Sequence, residues 1–288
     1  MLQPMPGLTL WPCALDEEQQ CACVCFAREA LERGRRGMLH GKSYVPKPEQ
    51  WAESGQGRET VHFGALVKYN KVAPAAVEPL PPELIRILDQ FERAGIFSPS
   101  ERPDTCCLNH YEEGAWLPPH VDSTAFARPF FTLSLLSSQH TYFGEHIGGE
   151  AGRWLCDEGE RSAVFVLEPG SLLRVDAPAA GPDCLHAVPR ADAERISLVF
   201  RRLACETRAR FAAIQKASED AALARRERRL KAKLARGRVP KAAVLPVDDK
   251  ALCHSGLVCD DARDAGAGVV HAHRASDDAD ALLNSHAL

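Results

Sequence analysis

The sequence predicts a mainly β fold of the jelly-roll type, in which two β-sheets pack face to face. Several short segments after Pro103 are rich in β-branched, aromatic and leucine residues, and turns separate them. Segments at such spacing are typical of a sandwich or barrel, and the double-sheet jelly roll is the natural candidate. The predicted strands are Thr105–Tyr111, Phe130–Ser137, Ala163–Leu167, Ser171–Val175 and Ile196–Arg201.

Helices are predicted on both sides of this strand-rich region. Asp16–Arg33 should be helical, with Asp16 as its N-cap and Gly34 as its stop. Pro82–Ala94 should form a second helix that Gly95 closes. Its apolar face is predicted to contain Leu84, Ile85, Leu88 and Phe91.

The remaining segments are predicted from their Gly, Pro and charge content. The stretch Gly37–Asn70 is broken by Pro and Gly and should be irregular. The stretch Gly144–Glu160 should be an exposed hairpin excursion. Cys205–Arg236 is rich in Ala and Arg and should form a third helix. Trp116 is expected to pack in the core.

Charge is distributed unevenly beyond the strands. Residues 204–246 contain twelve Lys and Arg against four Asp and Glu, whereas 247–288 contain eight Asp against three Lys and Arg. Such blocks are typical of solvated tails. We therefore predict an N-terminal helical extension (1–100), a β core (101–204), a basic helix (205–240) and a disordered tail (241–288).

Composition also restricts the class of protein. No apolar run approaches the roughly 20 residues of a membrane helix, and Met1–Leu15 lacks the pattern of a secretory signal. The eleven cysteines are therefore expected to be free thiols in a reducing compartment. We expect an intracellular protein of the nucleus or cytoplasm, a monomer without disulfides or membrane contact.

Three residues form a candidate metal site. His120 and Asp122 lie two apart at the mouth of a predicted strand, so their side chains point to the same side. His186 follows a Gly-Pro turn and could come from another strand end. Two neutral imidazoles and one carboxylate hold Fe(II) on one face and leave the opposite face open.

A row of polar side chains suggests what lies beside this metal. In the segment Arg195–Arg201, alternate residues share one face, which places Arg195, Ser197 and Arg201 together. Two arginines pointing into a barrel would be unfavourable without an anion, and a dicarboxylate has the right size and charge. Asn109 and Tyr111, also two apart on a strand, could hydrogen-bond the same molecule.

Together these motifs resemble a known family. The pattern N-H-Y-E-E-G, H-V-D, a distant His and R-I-S-L-V-F-R resembles the AlkB-like Fe(II)/2-oxoglutarate dioxygenases, which act on methylated nucleic acids. The resemblance runs from about Gly41 to Leu203. It implies a double-stranded β-helix with an N-terminal nucleotide-recognition lid, and Fe(II), 2-oxoglutarate and dioxygen as cofactor and cosubstrates.

The resemblance also implies roles for individual residues. His120, Asp122 and His186 would bind iron, and Arg195, Arg201, Ser197, Asn109 and Tyr111 would bind 2-oxoglutarate. The phrases R-E-T-V-H-F-G, C-C-L-N-H-Y-E-E-G and A-R-P-F-F-T-L-S look most like the eukaryotic branch that includes plant N6-methyladenosine demethylases. By this similarity Arg58 and Tyr69 would belong to the lid that holds the flipped base.

Three functions stay open at this point. The first is demethylation of N6-methyladenosine in single-stranded RNA, where an unstacked base is most accessible. The second is repair of 1-methyladenine or 3-methylcytosine in DNA or RNA. The third is a catalytically silent β-barrel that binds RNA through its basic helix.

Overall fold

A computed structural model describes residues 1–51, 53–68 and 70–235. One compact unit spans Met1–Leu230, and a second comprises Lys231–Leu288, of which only 231–235 are described. The predicted tail and the lid residue Tyr69 lie outside the described residues. The predicted domain boundaries at 100, 204 and 240 stay predictions.

The described residues contain fifteen strands, three α-helices and a short 3-10 helix at Glu49–Trp51. The helices are α1 (Glu17–Arg35), α2 (Pro82–Arg93) and α3 (Cys205–Ala235). The strands are β1 (Leu8–Trp11), β2 (Tyr44–Val45), β3 (Glu59–Phe63), β4 (Leu66–Lys68), β5 (Lys71–Ala73), β6 (Thr105–Tyr111), β7 (Leu117–His120), β8 (Phe130–Leu135), β9 (Gln139–Gly144), β10 (Ile147–Glu150), β11 (Arg153–Cys156), β12 (Ala163–Leu167), β13 (Leu172–Val175), β14 (Leu185–Val188) and β15 (Arg195–Arg201). All five predicted strands are present.

Two antiparallel sheets form the core of the fold. The larger has the strand order β1-β13-β8-β15-β6-β3-β2, and the smaller has the order β12-β9-β14-β7. Buried side chains of both sheets pack together, among them Phe130 and Val199 from the larger sheet and Phe143 and Leu167 from the smaller. The predicted jelly roll is confirmed.

The larger sheet has two different faces, and β15 shows how the sequence produces them. Ile196, Leu198 and Phe200 point outward and pack with helices α1 and α2 in the main apolar cluster. The alternate residues of β15, from Arg195 to Arg201, point between the two sheets. The polar residues of the candidate site therefore occupy the space between the sheets.

Helix α1 confirms one predicted end and corrects the other. Asp16 is the N-cap and forms a capping box with Gln19. The helix does not stop at Gly34, where a Cβ would lie only 2.5 Å from the ring of Tyr44. Gly34 is thus a close-packing residue, and Gly37, with φ at +67°, follows the helix end in the left-handed conformation.

The stretch Gly37–Asn70 is not irregular as predicted, because it contains β2, β3 and β4. Strand β3 pairs with β6 over five residues, and this partner lies far away in sequence. Pairing with a distant strand therefore outweighs the local preference of Pro and Gly for irregular structure. Ile85 is a smaller error: it is 39% exposed, whereas Leu84, Leu88 and Phe91 are buried.

Two further predictions are confirmed. The excursion after Gly144 forms the hairpin of β10 and β11. Trp116 is buried and packs edge-on against Trp154 of this hairpin, with 5.5 Å between the ring centroids. The indole of Trp116 also donates a hydrogen bond to the carbonyl oxygen of Ser54.

Within the described residues, no helix combines the length and apolar character that crossing a membrane requires. The described cysteines are free thiols.

Candidate active site

Three potential metal ligands converge between the two sheets. His120 ends β7, Asp122 follows it closely, and His186 lies in β14 directly across the ladder from His120. One ligand atom from each lies within 4.8 Å of the others. Strand β7 tolerates Pro118 and Pro119 because it is the edge strand of its sheet. The arrangement could hold one Fe(II) ion.

Both imidazoles are held in the neutral form that metal ligation requires. Burial, followed by the neighbouring His120 ring, lowers the pKa of His186 to about 3. Burial also lowers the pKa of His120. The Nδ1–H of His120 donates to the carbonyl oxygen of Pro118 at 2.9 Å, which leaves the lone pair on Nε2.

Asp122 is ionised and firmly oriented. Burial alone would raise its pKa, but Arg201 and the two imidazoles outweigh burial and lower the pKa. Arg201 donates to Oδ2 of Asp122 from Nε at 3.0 Å and from Nη2 at 2.8 Å. Oδ1 therefore faces the imidazoles and is available to a metal. The predicted contact between Arg201 and a cosubstrate stays a prediction.

Arg195 is the unusual charge of the site. It is only 3% exposed, and among the described residues Tyr111 and Arg58, but no carboxylate, act on its charge. Its Nη2 donates to Ser134 Oγ at 3.2 Å, whereas its Nε has no partner in the described part of the chain. Burial lowers the pKa of this guanidinium. A buried cation with open donors fits a carboxylate ligand.

A cavity of about 70 Å³ joins the metal-ligand set to the predicted cosubstrate residues. All five of them line it: Asn109, Tyr111, Arg195, Ser197 and Arg201. Asn109 donates from Nδ2 to Ser197 Oγ at 3.2 Å, and the Arg195 guanidinium lies 5.4 Å from the centroid of the Tyr111 ring. The donor set therefore fits iron beside a dicarboxylate.

Arg58, predicted for the lid, lies at the border of this cavity. Its Nε donates to Asn109 Oδ1, and its guanidinium lies 5.8 Å from the centroid of the Tyr111 ring. It also lines a second cavity of about 320 Å³ that His120 and Asp122 border as well. Such a volume is at the lower end of small-molecule sites, which span roughly 300–1,000 Å³.

Three side chains of functional interest were not predicted. Trp51 and His62 line the second cavity. Arg128 donates to the backbone carbonyl oxygen of Asp122 at 2.9 Å, and it also binds carbonyl oxygens in the following loop. The polar-apolar alternation of Thr60–Phe63 could have indicated a strand with His62 facing inward. No local pattern indicates the contact of Arg128.

A family model described as the 2OG-Fe(II) oxygenase superfamily matches residues 7–230. The chain belongs to this superfamily. Its members use Fe(II), 2-oxoglutarate and dioxygen, so the predicted cofactor and cosubstrates are confirmed. The neutral imidazoles, the ionised carboxylate and the unpaired Arg195 are the donors that these molecules require.

Two plant proteins are similar to this chain in sequence. RNA demethylase ALKBH9B of Arabidopsis thaliana is 30% identical over 210 residues, which are 69% of this chain and 40% of that protein. RNA demethylase ALKBH10B of the same plant is 26% identical over 214 residues, which are 70% of this chain and 36% of that protein. The chain thus spans less than half the length of these curated relatives. The AlkB-like resemblance is confirmed.

One solved structure, that of OsALKBH1, aligns with a TM-score of 0.48 at 15% identity. The alignment covers 70% of this chain and all of that one.

Proposed function

We propose that this chain is an Fe(II)/2-oxoglutarate-dependent demethylase of N-methylated nucleobases, acting on N6-methyladenosine in single-stranded RNA. One observation carries the proposal: a two-histidine, one-carboxylate set shares a cavity with the buried, unpaired Arg195. The same ligand set borders a second cavity that could hold a base.

In this proposal His120, Asp122 and His186 hold the iron. Arg195 binds the distal carboxylate of 2-oxoglutarate, supported by Ser197, Asn109 and Tyr111. Arg201 and Arg128 act as positioning residues, because one orients the side chain of Asp122 and the other its backbone. Partners of this kind affect metal affinity or activity by about 10- to 100-fold.

Bound iron, with 2-oxoglutarate and dioxygen, supplies the oxidation of an N-methyl carbon. One dioxygen oxidises two molecules: 2-oxoglutarate becomes succinate and carbon dioxide, and N–CH₃ becomes N–CH₂OH. The C–N bond of the hydroxymethyl group then breaks, its carbon leaves as formaldehyde, and the hydroxyl proton passes to the nitrogen. The protein's part is to hold the methyl carbon beside the ligand set and to keep other side chains away from it.

RNA as the substrate is supported by the names of the two plant relatives. The surface of this chain is compatible with a phosphate backbone. Lys68 and Asn70 border the second cavity on either side of the predicted lid residue Tyr69. Helix α3 exposes a run of basic side chains, Arg225, Arg226, Arg228 and Arg229.

The test incubates the full chain with Fe(II), 2-oxoglutarate and a panel of methylated oligonucleotides and measures the succinate and formaldehyde formed. We expect the two products in equal amounts. We expect N6-methyladenosine in RNA to be demethylated fastest. Turnover of 1-methyladenine or 3-methylcytosine alone would replace this substrate by that of a repair enzyme. RNA binding without succinate from any substrate would favour the silent binding protein.

A further inference from the structure

His62 has no role in the iron or cosubstrate site, yet it faces the space between the sheets. It lies on β3 opposite Cys107, and Thr60 lies opposite Asn109 on the same face. The ring is only 2% exposed and borders the second cavity. Its position therefore makes it part of the wall on which a bound base would rest.

One ring nitrogen of His62 has a hydrogen-bond partner and the other does not. Nε2 lies 3.0 Å from Thr60 Oγ1. Nδ1 is buried and has no partner among the described residues. A buried polar atom without a partner is unfavourable, so a native structure rarely keeps one without a reason. Because His62 borders the second cavity, a ligand bound there could supply the missing partner after a small shift of the side chains that cover Nδ1.

The charges around this cavity disfavour a cationic ligand. Arg58, Lys68 and Arg201 line it, and Asp122 is its one carboxylate among the described residues. That carboxylate is already paired with Arg201. Burial, helped by Arg58 and Arg201, lowers the pKa of His62 to about 3, so the imidazole stays neutral. Iron bound at the neighbouring site would add positive charge.

The candidate methylated bases differ in their charge, to which this cavity is sensitive. N6-methyladenine is neutral and has an N–H donor at N6 beside an acceptor at N1. 1-Methyladenine and 3-methylcytosine are cations near neutral pH, and in 1-methyladenine the methyl group occupies N1. A neutral imidazole can pair with the first base through either tautomer, because it can accept from N6–H or donate to N1.

We propose that His62 is a specificity residue that reads the edge of a neutral N-methylated base, and that the cavity rejects cationic methylated bases. The proposal rests on the proposed function for the class of ligand. It adds His62 as the residue that selects the base, and a preference for neutral over cationic bases. The apolar wall of Val45, Pro46, Pro48 and Trp51 would hold the base plane while His62 reads its edge.

The test measures binding without turnover, using the full chain with Fe(II) and 2-oxoglutarate under anaerobic conditions. Fluorescence anisotropy compares short single-stranded RNAs that carry one N6-methyladenosine, one 1-methyladenosine or unmodified adenosine. We expect the wild type to prefer N6-methyladenosine over 1-methyladenosine by about tenfold or more. His62→Leu should weaken the binding of N6-methyladenosine by about threefold to tenfold and leave that of 1-methyladenosine within about twofold, so the preference narrows to what the cavity charges alone impose. The affinity for 2-oxoglutarate should stay unchanged.

Three variants separate recognition from structure. His62→Gln keeps a donor and an acceptor and should recover most of the preference. Thr60→Val removes the hydroxyl partner without changing the imidazole and should weaken the preference by about twofold to tenfold. His140→Leu, at an exposed histidine of β9, should change nothing.

Equal binding of both RNAs by the wild type, or an unchanged preference in His62→Leu, would overturn the proposal. Turnover after oxygen is admitted is scored separately. A wild type that binds N6-methyladenosine through His62 but releases no formaldehyde contradicts the proposed function and supports the role of His62. Demethylation of N6-methyladenosine together with an unaltered binding preference in His62→Leu supports the proposed function and contradicts the role of His62.

Discussion

Two polar clusters lie on opposite faces of strand β6, and they differ in how their charges are paired. On the outer face, Glu59 accepts hydrogen bonds from Arg35, Tyr44 and His110. On the inner face, between the sheets, Arg195 is buried without an acidic partner among the described residues. The two clusters contain similar residue types and share a strand. They differ in whether the buried charge has a partner of opposite charge.

The pKa values reflect this contrast. Burial alone would raise the pKa of Glu59, but its three donors outweigh burial and lower the pKa to about 2. On the inner face, burial lowers the pKa of Arg195 without a carboxylate to offset it. A cluster whose charges satisfy one another stabilises the fold, whereas one with open donors is built for a ligand.

The largest effect that this comparison predicts comes from removing a metal ligand. His186→Ala should lower succinate formation by more than about 100-fold, because even the partners of metal ligands cost about 10- to 100-fold. The free energy of unfolding of the metal-free protein, measured in urea, should change far less. Turnover close to that of the wild type would remove His186 from the site.

Arg195→Leu should raise the KM for 2-oxoglutarate by about 100-fold, because an interfacial charge pair that loses one member costs about 2–5 kcal/mol. Without 2-oxoglutarate, the variant should be as stable as the wild type or more so, since an unpaired buried charge has been replaced by an apolar group. Steady-state kinetics and urea unfolding measure the two effects. A large loss of stability at constant KM would place Arg195 in the paired class.

Glu59→Gln should have the opposite pattern. It removes the acceptor shared by three donors on the outer face, so the free energy of unfolding should fall by about 1–3 kcal/mol. Succinate formation at saturating 2-oxoglutarate should stay within about twofold of the wild type, since no atom of Glu59 borders the two cavities of the site. A selective loss of turnover would erase the distinction between the clusters.

The smallest expected effect is the pH dependence of His110. The hydrogen bond to Glu59, and then that to Glu194, raises the pKa of this imidazole in the folded state above its ordinary value of 6.5. Its stabilisation is therefore fully present below pH 6.5 and is lost as the pH rises through the folded pKa. Glu59 acts in the other direction, since its contribution is lost as the pH falls from 4.5 towards 2.

Urea unfolding across this pH range measures the effect. The wild type should lose about 1 kcal/mol as the pH rises past the folded pKa of His110, and His110→Gln should show no such loss. An equally steep decline in His110→Gln would assign the pH dependence to another group.

The sequence contained most of the inner cluster, because strand alternation is a strong local rule. One face of Arg195–Arg201 is sufficient to place both arginines between the sheets. The ion pair of Arg201 with Asp122 could not be predicted from that pattern, since Asp122 lies 79 residues earlier in the chain. Alternation states the direction of a side chain but not its partner.

The errors lie where distant contacts override local signals. Gly34 looks like a helix stop, yet the ring of Tyr44 requires a residue without a side chain inside the helix. Strand β3 was missed because its pairing with β6 outweighs the surrounding Pro and Gly residues. His62 was missed with it, so the residue proposed to select the substrate came from the structure alone.

The central claim is that Arg195 is buried without an acidic partner among the described residues because it binds a dicarboxylate beside a metal. Anaerobic titration calorimetry of the iron-loaded protein with 2-oxoglutarate tests it most directly. We predict one binding event per chain that requires the metal and is weakened about 100-fold in Arg195→Leu. Binding of equal strength in Arg195→Leu, or no binding to the iron-loaded wild type, would contradict the claim.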